Sequence, residues 1–191
     1  MRAIAPHLET IKTQYNLVAP DLQDLNAFRY TSTITHGSQE FMEAISFKYY
    51  LEHQRLITYE EAASLLHSLC EGPHKVVLSP EDYLLGIFDM TGEMMRFAIT
   101  NMARHRQASL SRSSSDTAAG ASDKPAPSRG ILEDMRELRD RLDGLIFHSY
   151  GDQRDVSKKA EVMRQSVDKV ESSYYSLVVR GAEDPSAWLQ E

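Results

Sequence analysis

Ser79-Pro80-Glu81-Asp82-Tyr83-Leu84-Leu85-Gly86-Ile87-Phe88-Asp89-Met90-Thr91-Gly92-Glu93-Met94-Met95-Arg96 is the stretch on which the fold turns. It opens with a serine suited to capping a helix, a proline at the first helical position, and two acids facing the positive helix end. Leu84, Leu85, Ile87, Phe88, Met90, Met94, Met95, Phe97, Ala98, Ile99 and Met102 then cover nearly the whole circumference. That pattern marks a buried helix, expected to run to about His105. One narrow polar stripe interrupts it: Asp89, Glu93, Arg96 and Thr100, spaced four, three and four apart. A solvated face is normally broader, and acids are seldom buried unless paired or bound to metal.

Outward from this helix, helical periodicity continues in nearly every segment, so the chain reads as all-α, an antiparallel bundle of about six helices. Ile4, Leu8, Ile11 and Tyr15 predict a first helix ending near Val18-Ala19-Pro20, and a long second one is expected from about Asp21 to His53. Thr58-Tyr59-Glu60-Glu61 has the form of a capping box and opens a short helix carrying Ala62, Leu65, Leu66 and Leu69, which Glu71-Gly72-Pro73 ends. On the other side, residues 106–129 (RQASLSRSSSDTAAGASDKPAPSR) have almost no large apolar side chain and read as a flexible linker inside a single domain spanning 1–191. Ile131, Met135, Leu138, Leu142 and Leu145 then share one helical face. In the last helix Val156, Ala160, Met163, Val167, Val170, Tyr174 and Leu177 form a heptad seam, which suits either the bundle's own core or a partner. Tyr175, Val178 and Val179 widen that surface; Gly181 is placed as a C-terminal cap, with Pro185 beyond it.

Composition sets the bounds. The chain has 191 residues, 41% hydrophobic and 26% charged, enough to bury a core without disulfides. The one cysteine, Cys70, permits no intrachain bridge, which agrees with the cytoplasm or nucleus. No apolar run reaches the roughly 18 residues of a membrane helix, and Met1 to Lys12 lacks the apolar core of a signal peptide. The formal net charge of −7 makes the chain a poor nucleic-acid binder by itself, because phosphate binding is driven by Lys and Arg.

The chemistry-bearing residues are carboxylates. Glu40 and Glu43, three apart, share a helix face within Gln39-Glu40-Phe41-Met42-Glu43-Ala44-Ile45-Ser46-Phe47. If that helix packs beside the one carrying Asp89 and Glu93, four carboxylates could converge on a hard cation such as Mg²⁺, with Mn²⁺ as the alternative. The plainer reading is ordinary ion pairing, Arg96 neutralising Glu93 or Asp89. Spacing does not reveal whether the two helices touch. His36, one turn before Glu40, is a candidate proton donor or an ordinary surface histidine. Lys48, Arg55 and Arg96 are candidate phosphate contacts or ion-pair partners. Glu71-Gly72-Pro73-His74 has Glu-x-x-His letters, but Gly-Pro breaks the helix that spacing needs. There is no glycine-rich phosphate loop, and Cys70 has no evident metal-binding companions.

Asp82 to Arg96 (DYLLGIFDMTGEMMR), with its Asp-x-Thr-Gly-Glu-x-Met-Arg core, resembles the signature of the translin and Trax family, on the Trax branch. Gln39 to Phe47 (QEFMEAISF) resembles the Trax segment that supplies two glutamates, and Val156 to Gly181 resembles the family's final helix. The three blocks occur in the family's order. The resemblance implies a translin-like helical bundle and assembly with translin into a closed hetero-octamer. It also implies a Mg²⁺-dependent endoribonuclease that cuts single-stranded RNA, either passenger-strand fragments in RNA silencing or pre-tRNA leader fragments. The family's catalytic carboxylates match Glu40, Glu43, Asp89 and Glu93, and Arg96, Lys48 and His36 are the candidate RNA contacts. Trax chains usually have a longer N-terminal region before the counterpart of Met1 to Leu17. Two other expectations stand beside the nuclease: a non-catalytic subunit that stabilises translin, and a helical adaptor that binds protein alone.

Overall fold

The computed structural model describes residues 5–112, 127–144 and 153–182. Among them are seven α-helices, one 3-10 turn and no strand: α1 (Ala5–Val18), the 3-10 turn η1 (Ala19–Asp21), α2 (Leu25–Arg29), α3 (Thr31–His53), α4 (Tyr59–Leu69), α5 (Pro80–Arg112), α6 (Pro127–Asp143) and α7 (Gln153–Ala182). The chain is all-α, as expected. It forms two compact units, residues 1–90 and 91–191, and the division falls inside α5.

In the first unit, Tyr15 of α1 packs edge-on against Phe41 of α3 with ring centroids 5.6 Å apart. Asn16 stitches α1 to the end of α4: its amide donates to the Leu69 carbonyl (2.8 Å) and its carbonyl accepts from the Glu71 N–H (2.7 Å). That satisfies a backbone group left over at a helix end. The expected helix from Asp21 to His53 is broken, and α3 starts only at Thr31. The Gln23 amide explains the break, donating to the Ala19 carbonyl (2.6 Å) and across the fold to the Lys75 carbonyl (3.1 Å). Asp24 then takes a positive φ of 52°, outside the regions a helix can use, and α2 starts only after it. The resulting α2 buries none of its residues.

The Thr58–Glu61 capping box is complete: the Glu61 N–H donates to Thr58 Oγ1 (3.2 Å) and the Thr58 N–H donates to Glu61 Oε2 (2.9 Å). The same carboxylate accepts two bonds from Arg55 (2.6 and 2.9 Å) and one from the Tyr49 hydroxyl (2.9 Å), locking the α3–α4 turn. The Arg55 guanidinium, then the Thr58 N–H and Tyr49, push the Glu61 carboxyl down to about 2. Two tyrosines tie α4 and α5 to the connecting chain: Tyr59 donates to the Leu78 carbonyl and Tyr83 to the Ile57 carbonyl, each at 2.7 Å. Met42, Ile57, Leu66, Leu78, Ile87 and Met90 are among the side chains sealed in this core.

The second unit contains the rest of α5, with Met94, Ala98 and Met102 buried, and an antiparallel pair, α6 and α7. Arg136 pairs with Glu171 (2.7 Å) and Asp143 with Arg164 (2.8 Å), so seven residues forward in α6 are seven back in α7. Ile131, Met135 and Leu142 of α6 are buried, as are Val156, Ala160, Met163, Val167 and Val170 of the heptad seam. The seam therefore packs within the chain over most of its length. Tyr174 and Leu177 are only half-buried, and Tyr175 and Val178 are exposed.

Some expected boundaries shift. α5 continues past His105 to Arg112, and α6 begins at Pro127, so residues 106–112 and 127–129 of the expected linker are helical. Its middle, 113–126, lies outside the described residues, as do Ile4, Leu145 and Pro185. Gly181 lies inside α7, which reaches Ala182, and is not its cap. A glycine in a terminal turn costs about 1 kcal/mol at most, too little to stop a well-packed helix. No described helix is long and apolar enough to cross a membrane.

Candidate functional site

The helices that carry the candidate carboxylates do touch. At the start of α5, Ser79 Oγ caps the Asp82 N–H (3.0 Å), and the buried Asp82 carboxylate accepts from the Thr35 hydroxyl and the Gln39 amide (3.2 Å) of α3. The Gln39 amide also donates to Thr35 Oγ1 (2.9 Å), closing a three-member network. One turn on, Gly86 lies against α3: a Cβ at this position would be 2.4 Å from Met42 Cβ, 3.0 Å from the Gln39 carbonyl and 3.3 Å from the Glu43 N–H nitrogen. A four-residue step along α5 thus matches one along α3, and the two helices run side by side in the same direction here.

Asp82, Gly86 and Asp89 are four and three apart, so Asp89 lies on the α5 face that meets α3. Asp89 and Glu43 are each half-buried. Glu93 follows Asp89 by one turn of α5, is half-buried, and is ion-paired with Arg96 three residues further on. Glu40 is exposed and lines a groove between α1 and α3. Among the described residues, no group of three or more His, Cys, Asp or Glu stands together as a metal ion requires. The backbone brings α3 and α5 together at the Glu43 turn without gathering the acids into a finished cage.

The donor set nonetheless suits a hard divalent cation in kind, since Mg²⁺ and Mn²⁺ take carboxylate oxygens. Ser46 adds a second observation. It is fully buried on α3, one turn beyond Glu43, and its hydroxyl has no hydrogen-bond partner. An orphaned hydroxyl costs about 1–3 kcal/mol and calls for an explanation.

The candidate RNA-contacting cations are largely engaged. Lys48 pairs with Glu52 (2.8 Å), and Arg96 with Glu93. Arg55 belongs to the Glu61 clamp. His36 is exposed on α3. Sequence reasoning placed Asp82 only at a helix N-terminus and passed over Gly86, Thr35, Gln39 and Ser46 altogether. The signal for Gly86 was available in part: a glycine on the same stripe as Asp82 and Asp89 is where a second backbone can approach.

Residues 1–181 match the translin family. The chain is 29% identical to translin-associated protein X of Mus musculus over 202 residues, covering 96% of this chain and 62% of the mouse protein. It is 28% identical to the translin-associated protein X homolog of Schizosaccharomyces pombe over 182 residues, covering 95% of this chain and 64% of that protein. The chain therefore spans less than two thirds of the length of either relative.

Proposed function

The chain belongs to the translin family, and from that premise we propose that it is the RNA-cutting subunit of an assembly with translin, hydrolysing single-stranded RNA at a Mg²⁺ site provided by Glu40, Glu43, Asp89 and Glu93. The relatives carry translin association in their names. The observation that carries the catalytic part is the Gly86 contact, because it sets Asp89 on the α5 face that meets the Glu43 turn of α3. A bound divalent cation supplies water activation and neutralises charge building on the phosphodiester. The protein's share is to hold oxygen donors of the right kind on two helices fixed against each other by Asp82, Thr35 and Gln39. The substrate class that goes with this reading is single-stranded RNA, passenger-strand or pre-tRNA leader fragments.

The net charge of −7 and the pairing of Lys48 and Arg96 to nearby acids leave little positive charge for RNA on this chain. On this reading the cations that bind substrate belong to translin, and the purified chain alone is expected to show low activity. A single-stranded RNA cleavage assay with Mg²⁺, run with and without translin, tests this. Cutting only in the mixture agrees; strong cutting by the chain alone contradicts the division of labour.

A second reading is a non-catalytic subunit that stabilises translin. The lack of a closed cluster of three acids among the described residues favours it. Assembly with translin, measured by mass in solution, without any carboxylate-dependent cutting would select this reading.

A further inference from the structure

Two contacts set the register of α3 against α5. The Gln39 amide donates to Asp82, 43 positions on, and the Glu43 nitrogen lies 3.3 Å from where a Cβ on Gly86 would be, again 43 positions on. Both helices then advance in step: Gln39, Glu43 and Ser46 are four and three apart, as are Asp82, Gly86 and Asp89. The next pair in the series is Ser46 and Asp89, both within the first unit.

Ser46 is fully buried, and among the described residues its hydroxyl is the buried side-chain polar atom without a hydrogen-bond partner. Other buried serines are satisfied: Ser38 is hydrogen-bonded with the Tyr15 hydroxyl, and Ser166 donates to the Val162 carbonyl one turn back (2.9 Å). That backward bond is the usual resort of a helical serine, and Ser46 does not use it. The buried side chains at its level, Met42 and Ile45 of α3 and Met90 of α5, supply no strong acceptor, and a bridging water would need several polar partners. We infer that the Ser46 hydroxyl is a positioning residue for the divalent cation, donating to the Asp89 carboxylate when that carboxylate holds the ion. The inference rests on the α3–α5 acids being the metal site proposed above. A ligating carboxylate is itself held by hydrogen bonds, which fix its orientation and strengthen metal binding. The hydroxyl that the fold leaves unsatisfied then gains its partner on loading, which favours the loaded form.

The test is Mn²⁺ binding to the full chain without RNA, read as loss of the free-ion signal in electron paramagnetic resonance. Asp89→Asn identifies the site and should abolish the tight binding. Ser46→Ala is expected to weaken it about tenfold, the lower end of the cost of losing a bond to a metal ligand, while the chelator-treated variant melts no lower than wild type. Ser46→Thr keeps the hydroxyl but adds a methyl group to a filled position. It should melt lower than Ser46→Ala yet bind Mn²⁺ more tightly; a packing role would reverse the order of binding. Ser38→Ala, at a buried serine of the same helix, should leave binding unchanged. Equal Asp89-dependent affinity in wild type and Ser46→Ala overturns this inference and leaves the metal site standing. So does tighter binding by Ser46→Ala than by Ser46→Thr. Mn²⁺ uptake that Asp89→Asn does not alter overturns the metal site itself, and this inference with it.

Discussion

Gly86 of α5 stands so close to Met42 of α3 that a Cβ on residue 86 would lie 2.4 Å from the Met42 Cβ. The obstacle is not the end of a flexible side chain: it is a Cβ, with the Gln39 carbonyl at 3.0 Å and the Glu43 nitrogen at 3.3 Å behind it. The glycine therefore sets how near the two acid-bearing helices come.

Gly86→Ala forces the helices apart. Alanine alone would favour a helix by about 0.5–1 kcal/mol, but overpacking costs about 1–3 kcal/mol, so net destabilisation is expected. Gly92→Ala is the control. A Cβ there meets nothing within 4 Å, and stabilisation by about 0.5–1 kcal/mol is expected. Chemical denaturation of both variants checks the opposite signs.

Asp82→Ala removes the buried acceptor of the Thr35 hydroxyl and the Gln39 amide. Bonds to a charged acceptor are worth about 1.5–3 kcal/mol, and a loss of about 2 kcal/mol in unfolding free energy is expected from chemical denaturation. Asp82→Asn should lose less, since it keeps one oxygen in place.

Ser46→Ala deletes a buried hydroxyl that has no partner. Removing an orphan of this kind, and gaining a better helix former, should leave stability unchanged or raise it by about 1 kcal/mol. A loss of similar size would mean that the hydroxyl is held by something bound between the helices.

The Glu61 clamp makes a pH-dependent contribution. Its carboxyl, ordinarily at 4.5, is held at about 2 by Arg55, the Thr58 N–H and Tyr49. A depressed carboxyl stabilises the fold above its unfolded pKa, and that stabilisation is lost as pH falls through the folded value. Glu61→Gln keeps a capping-box side chain but not the charge. The melting-temperature gap between wild type and this variant should be constant at neutral pH. It should narrow below about 4.5 and close near 2. A gap that persists at low pH would assign it to packing instead.

Local signals were legible in the sequence. Ser79-Pro80 starts α5 and Thr58 with Glu61 starts α4 as read, because capping chemistry is settled within four residues. The heptad seam of α7 was legible as a periodicity, but not whether it faced the chain's own core or a partner; most of it is buried within the chain. What was missed depends on contacts distant in sequence. The break before α3 rests on Gln23 reaching Lys75, 52 residues away. That α3 and α5 touch at all is decided by Gly86 against Met42, and periodicity places a residue on a face without naming the neighbour. Of the four carboxylates, spacing singled out Asp89 and Glu93. Glu40 and Glu43 rested on the family resemblance, and the structure sets Glu43 at the helix contact but Glu40 on the groove wall.

The central claim, that these carboxylates cut RNA, is tested most directly by single-turnover cleavage of single-stranded RNA in Mg²⁺ by the complex with translin. Wild type is compared with Glu40→Ala, Glu43→Ala, Asp89→Asn and Glu93→Gln, each first shown to assemble normally. A loss of roughly a hundredfold or more in each variant is expected, the usual scale for removing one catalytic electrostatic group. Cleavage at the wild-type rate by the assembled variants would contradict it.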